Sequence, residues 1–142
     1  CASVSPKVSL GDVVIPNGAV KMEGVSQHYL PVEFPSVPDF QMLKCIEQAA
    51  INLDYPYNVG VTITKASFYT QTEPASTSME CAPLFAVGAS LGIRTACVMA
   101  SATNCRNYSD NGRNTGIDIE DRAIRTAIEA MRLIIRKDKE MA

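Results

Sequence analysis

An α/β fold, a sheet with helices on its faces, is what these 142 residues predict. Three observations lead there. Val59, Val61 and Ile63 alternate with Gly60, Thr62 and Thr64 at the two-residue period of a strand. Apolar residues from Phe40 to Leu53, and again from Ile124 to Ile135, recur at spacings of three and four, as on a helix with one apolar side. Thr95 to Ala102 is a nearly continuous apolar run, short enough for a strand buried on both faces.

In chain order, Cys1 to Val8 is small and polar, interrupted by Pro6. Leu10-Gly11-Asp12 forms a turn, and Val13-Val14-Ile15 a short buried strand stopped by Pro16-Asn17-Gly18, with Ala19 to Met22 placed to pair beside it. Gly24 to Pro38, with Pro31 and Pro35 inside it, is expected to be a structured loop. It carries His28, which is either a proton donor or subunit contact, or a satisfied structural histidine. Asp39 is positioned as an N-cap, followed by the apolar stripe Phe40, Leu43, Ile46, Ala49, Ala50 and Leu53.

The Val59 strand leads to Phe68-Tyr69, then to a Thr/Gln/Glu/Pro/Ser run and Ser78-Met79-Glu80-Cys81-Ala82. Two readings stand side by side here. In one, a ring stacks on a heterocycle, the Glu80 carboxylate accepts hydrogen bonds from vicinal hydroxyls, and Met79 packs on a sugar face. In the other, the rings are core, Met79 fills a gap, and Glu80 suits a helix N-terminus. Leu84 to Leu91 is a helix closed by Gly92; Pro83 belongs in its first turn, so regular helix begins no earlier than Cys81. Asn104 to Gly116 has the composition of a mobile surface loop. Asp118 caps the last helix, with Asp121 at the capping-box position, a stripe of Ile124, Ala127, Ile128, Met131 and Ile135, and Lys and Arg in the final turn. With no repeat and no linker, residues 1–142 form a single domain.

Hydrophobic residues make up 46% of the chain, enough for a core, and a net charge of −2 leaves no basic stripe for a phosphate backbone, so nucleic acid is not an expected partner. Nor is a membrane: no apolar run approaches the ~20 residues that cross a bilayer. The five cysteines have wide, irregular spacings without CxxC and there is one histidine, which points to free thiols in a reducing compartment rather than a zinc site. Gly-rich phosphate loops, GxSxG and HExxH are absent. The chain starts at Cys1 rather than at methionine, which fits a processed protein or a piece of a longer one.

Beyond spacing, several stretches carry a resemblance. They are Leu10-Gly11-Asp12-Val13-Val14, Met22-Glu23-Gly24-Val25-Ser26-Gln27-His28-Tyr29-Leu30-Pro31-Val32-Glu33-Phe34-Pro35, Val59-Gly60-Val61-Thr62 with Ser67-Phe68-Tyr69, Met79-Glu80-Cys81-Ala82, and Leu91-Gly92-Ile93-Arg94. In this order, and across nearly the whole chain, the sequence resembles the nucleoside phosphorylase family. The His-Tyr-x-Pro-x-Glu-Phe-Pro loop favours its uridine branch, and Ala102-Thr103-Asn104-Cys105 stand where the purine branch places a proton-donating Asp.

The resemblance implies a three-layer fold with a central mixed sheet flanked by helices, and reversible phosphorolysis of uridine in pyrimidine salvage. It also implies inorganic phosphate as co-substrate, no cofactor or metal, a cytoplasmic location and a homo-oligomer, dimer or hexamer. Glu80 would hold the ribose 2′-hydroxyl and Met79 would pack on the sugar. Phe68 would line the base pocket, Ala102 and Thr103 would border the uracil edge, and the Cys1 backbone N–H would end the phosphate-binding turn. Two departures stand out. The family's phosphate-gripping glycine and arginine segments would lie upstream of Cys1, and the Tyr69–Met79 stretch is short, with Gln71 offset and no arginine. A C-terminal part of a longer enzyme is therefore expected. The alternatives are a nucleoside hydrolase or a purine nucleoside phosphorylase on the same scaffold, or a non-catalytic nucleoside-binding or assembly homologue.

Overall fold

Nine residue pairs join β2 (Val13–Met22) to β3 (Tyr57–Lys65) in parallel register, from Val13↔Tyr57 to Met22↔Lys65, and this is the spine of the structure. The computed structural model describes residues 1–3, 5–66, 76–104 and 118–141. The remaining described elements are β1 (Ala2–Ser3), a 3-10 turn (Ser26–His28), α1 (Phe40–Asn52), β4 (Ser76–Ser78), α2 (Cys81–Ser90), β5 (Met99–Ala100), β6 (Thr103–Asn104) and α3 (Ile119–Met141). The sheet is mixed, in the order β5-β2-β3-β4-β1-β6. β4 runs parallel to β3, β1 antiparallel to β4, β6 parallel to β1, and β5 antiparallel to β2. The two outermost strands of that order are consecutive pieces of the single segment 99–104. Its middle is also held on both sides, by Ser101 N–H to Asp12 O at 2.9 Å and Ala102 N–H to Cys1 O at 2.8 Å. The sheet thus curls until it closes on itself.

The expected α/β class and mixed, helix-flanked sheet are found, with several corrections. Pro16 does not stop a strand. β2 runs through it with a bulge, where Pro16 pairs with Gly60, Gly18 with Val61, and Asn17 is the extra residue. The bulge lies between the two residues that β5 pairs and Ala19, which bridges Ser36, so Pro16 stands where neither of these pairings needs its N–H. The apolar run 95–102 is mostly not a regular strand: only Met99 and Ala100 join β2, and Ala96 to Met99 are half-buried. Along β3 the alternation holds, but the buried face is the threonine one. Thr62 and Thr64 are enclosed, while Val59 and Val61 are 42% and 57% exposed, because α1 reaches over only the first part of the other face.

α1 and α3 pack together against Val13 and Ile15, and α2 covers the opposite face. α1 starts where Asp39 Oδ1 accepts the Met42 N–H at 2.8 Å, the expected N-cap. Its buried side is Cys45, Ile46, Ala49 and Ala50. Phe40, expected in that stripe, is exposed, with the Lys44 ammonium 5.5 Å from its ring centroid. In α3 the correction is larger: the buried line is Thr126, Ala130 and Ile134, while Ile124, Ile128, Met131 and Ile135 lie exposed. One cause is local. Arg122, one turn before Thr126, donates to Gly11 O at 2.9 Å and stacks on Tyr55, which sets the helix's rotation. Enclosing a side chain such as Ile46 or Ile134 stabilises the fold by roughly 1.5–3 kcal/mol each. α2 is as expected, with Pro83 in its first turn and Gly92 at φ +66° just past its end. The Asn104 to Gly116 stretch lies outside the described residues beyond Asn104.

Candidate active site

The start of α2 is held by a strand hydroxyl rather than by its own cap. Glu80 precedes the helix and its side chain makes no cap hydrogen bond. Instead Thr64 Oγ1, from the enclosed face of β3, accepts the Ala82 N–H at 2.9 Å and lies 3.1 Å from Ser78 Oγ. Ser78 Oγ in turn accepts the Cys81 N–H at 3.4 Å. One hydroxyl from β3 and one from β4 thereby satisfy two of the N–H groups that every helix leaves open at its beginning. Glu80 is left exposed, its Oε2 accepting the Met79 N–H at 2.9 Å, and Met79 is 43% exposed. Both side chains stand at the carboxyl end of β4, where ligands gather in open α/β sheets.

Strand register brings the other candidates to the same rim. Ala2 pairs with Thr77 on one side and with Thr103 on the other. Cys1 therefore sits between Ser78 and Ala102, within the field of the Glu80 carboxylate. Its nitrogen donates to Ala100 O at 2.9 Å, so it is engaged by protein. Ala102 is exposed, and the backbone of Thr103 lies in β6. Phe68, along with Tyr69 and Gln71, lies outside the described residues. Five of the six candidate positions, Cys1, Met79, Glu80, Ala102 and the Thr103 backbone, thus fall on one rim of the closed sheet. His28 is exposed at the end of the 3-10 turn.

An acidic residue at an open helix start, with a thioether beside it and exposed backbone opposite, can hold vicinal hydroxyls and pack against a ring carrying them. A half-open apolar cavity of about 110 Å³ lies elsewhere, among Cys45, Ile46, Val98, Ala130 and Ile134, and no polar side chain lines it. Sequence reasoning missed Thr64, Ser78 and Cys97. A visible sign was there: threonines at positions 62 and 64 place hydroxyls on one face of a strand, and such a face needs polar company when buried.

Residues 1–136 match the model of the phosphorylase superfamily. The chain belongs to that superfamily. Among curated relatives, it is 31% identical to a uridine phosphorylase of Treponema pallidum (strain Nichols) over 95% of this chain and 60% of the relative. It is 26% identical to the uridine phosphorylase of Klebsiella aerogenes over 94% and 62%. A guanosine phosphorylase of Halorubrum lacusprofundi is 26% identical over 95% and 60%. The chain thus spans about three-fifths of the length of these relatives. The Treponema alignment extends over 156 residues, more than the chain's 142, so that relative has residues within the aligned region that have no counterpart here. Among the described residues, no helix of this superfamily member is long and apolar enough to cross a membrane.

Proposed function

We propose that the protein containing this chain is a uridine phosphorylase-like pentosyltransferase, catalysing reversible phosphorolysis of uridine to uracil and ribose 1-phosphate. The observation that carries it is the meeting of Met79-Glu80 with Cys1 and Ala102 on one rim, in a superfamily whose matched relatives include uridine phosphorylases. In this reading Glu80 holds the ribose 2′-hydroxyl, Met79 packs on the sugar, and Phe68, Ala102 and Thr103 surround the base. The N-terminal turn at Cys1 borders the phosphate, the co-substrate, and no cofactor takes part. As the base leaves, positive charge grows on the ribose ring; a carboxylate fixed beside it stabilises that state more than the neutral substrate. In this reading residues 1–142 are one domain of a cytoplasmic enzyme that is a homo-oligomer, dimer or hexamer.

The test is release of uracil from uridine by the full-length protein, followed by ultraviolet absorbance with and without phosphate. Phosphate-dependent release supports the reading. Phosphate-independent release means a nucleosidase, and binding without turnover means a non-catalytic homologue. The similarity to the Halorubrum guanosine phosphorylase favours guanosine as the second nucleoside to assay.

A further inference from the structure

Cys81 and Cys97 place their sulfurs 3.2 Å apart, joined by an S–H···S hydrogen bond, and both are free thiols. Cys81 is the first residue of α2 and fully enclosed; Cys97, in the extended segment before β5, is half-buried. Met99 Sδ lies 4.0 Å from Cys81 Sγ, so the surroundings are soft and polarizable. Two neighbouring groups bear on the charge here, the Glu80 carboxylate and the Ser78 hydroxyl. The hydrogen bond with Cys97 holds the Cys81 thiol below its ordinary range, against the opposing effect of burial, and the Ser78 contact adds to it. Hydrogen bonding to Cys81 together with burial pushes Cys97 far up. The two thiols titrate as a pair, and after the first ionisation a single proton is shared between the two sulfurs. Cys45, by contrast, sits in the apolar cluster of α1, α3 and β2.

We propose that Cys81 and Cys97 are a two-electron redox site, a dithiol that peroxide closes to a disulfide, displacing Glu80 as it closes. A disulfide is about 2.05 Å long, so the sulfurs need to approach by a little over 1 Å from their present contact. Peroxide arrives from the side of Cys97, since Cys81 is enclosed. The shared proton moves to Cys81, and the Cys97 thiolate takes one oxygen of hydrogen peroxide, releasing hydroxide and leaving a sulfenic acid. Cys81 sulfur then attacks the sulfenic sulfur and expels its hydroxyl, which leaves as water with the Cys81 proton. The two sulfurs lose two electrons and the peroxide gains them. Because Cys81 follows Glu80 directly, closure draws the first turn of α2 toward residue 97. A shift of about 1 Å at a positioned group costs on the order of 100-fold in rate. This consequence for turnover rests on the proposed function; the dithiol chemistry does not.

The experiment treats the full-length protein with hydrogen peroxide and maps the cysteines by mass spectrometry without reduction, in wild type, Cys97→Ser, Cys97→Ala and Cys45→Ser. A Cys81–Cys97 cross-linked peptide is expected in wild type and Cys45→Ser, reversed by dithiothreitol and absent from both Cys97 variants. Uridine turnover is expected to fall ~10- to 100-fold with the cross-link and to recover on reduction, while the reduced Cys97 variants keep their activity and lose none to peroxide. Absence of the cross-link, or Cys81 carried to sulfinic acid in wild type, overturns the dithiol. A cross-link with unchanged turnover overturns the displacement of Glu80. If the reduced protein turns over no uridine, the functional reading falls, and the cross-link still decides the chemistry.

Discussion

Thr64 Oγ1 lies 2.9 Å from the Ala82 nitrogen and 3.1 Å from Ser78 Oγ, so one strand hydroxyl anchors both the start of α2 and the end of β4. Replacing it by an isosteric methyl in Thr64→Val leaves an N–H and a hydroxyl enclosed without their partner. The expected loss is about 1–3 kcal/mol in urea unfolding, and Thr64→Ser is expected to restore most of it. Under the proposed function, the same change in the full-length protein should raise KM for uridine before it lowers stability enough to reduce folded protein, because the anchored turn carries Met79 and Glu80.

Glu80→Ala is expected to lower kcat/KM for uridine roughly 100- to 1,000-fold, the usual consequence of removing one group that stabilises charge in the transition state. Glu140→Ala, at an exposed position in the last turn of α3, is the matched control and should change it by less than about twofold. Steady-state assays of the two variants decide it, and equal effects would remove Glu80 from the site.

Gly88 has a packing role within α2. A Cβ there would come inside van der Waals contact with Thr95 Cγ2, 2.7 Å from Thr95 Oγ1 and 3.1 Å from Ile93 O. Alanine normally gains up to ~1 kcal/mol over glycine in a helix, but forced overpacking costs about 1–3 kcal/mol. Gly88→Ala should therefore destabilise in thermal unfolding, against the trend of helix propensity.

Glu23 supplies a pH dependence. Burial pushes its carboxyl up, but hydrogen bonds from the Ser26 hydroxyl, the Ser26 N–H at 3.1 Å and the Val25 N–H at 2.6 Å outweigh that and hold it below its ordinary range. A depressed carboxyl contributes stability that is present above its unfolded value and is lost as pH falls through the folded one. Glu23→Gln should thus destabilise at pH 7, and its difference from wild type should shrink below about pH 4. Urea midpoints across pH 3 to 7 measure this.

The sequence showed elements whose signals are local. Asp39 four residues ahead of Leu43 marked the start of α1, and Gly92 marked the end of α2, because caps depend on a few neighbouring residues. What periodicity could not show was which side of an element meets the core. The valines of β3 and the Ile124–Ile135 stripe of α3 are apolar yet exposed, since burial there depends on where α1 ends and where Arg122 is held. Pro16 misled for a related reason: a proline is tolerated where the neighbouring pairings do not need its N–H, and the neighbours' extent is not written near it. Met79-Glu80 became candidates through resemblance, whereas the Thr64 anchor and the Cys97 partner of Cys81 depend on contacts 18 and 16 residues apart in sequence, beyond any local pattern.

The shared segment 99–104 joins residue 13 through residue 100 and residue 2 through residue 103, and residue 2 is in turn paired with residue 77. Contacts so far apart in sequence come at the highest loop entropy and form late when a chain folds. A partly folded molecule can therefore hold α1 against β2 and β3 while the rim bearing Glu80 does not yet exist. Nucleoside binding would then report the last step of folding, and a mutation that slows ring closure would reduce affinity long before it changed helix content.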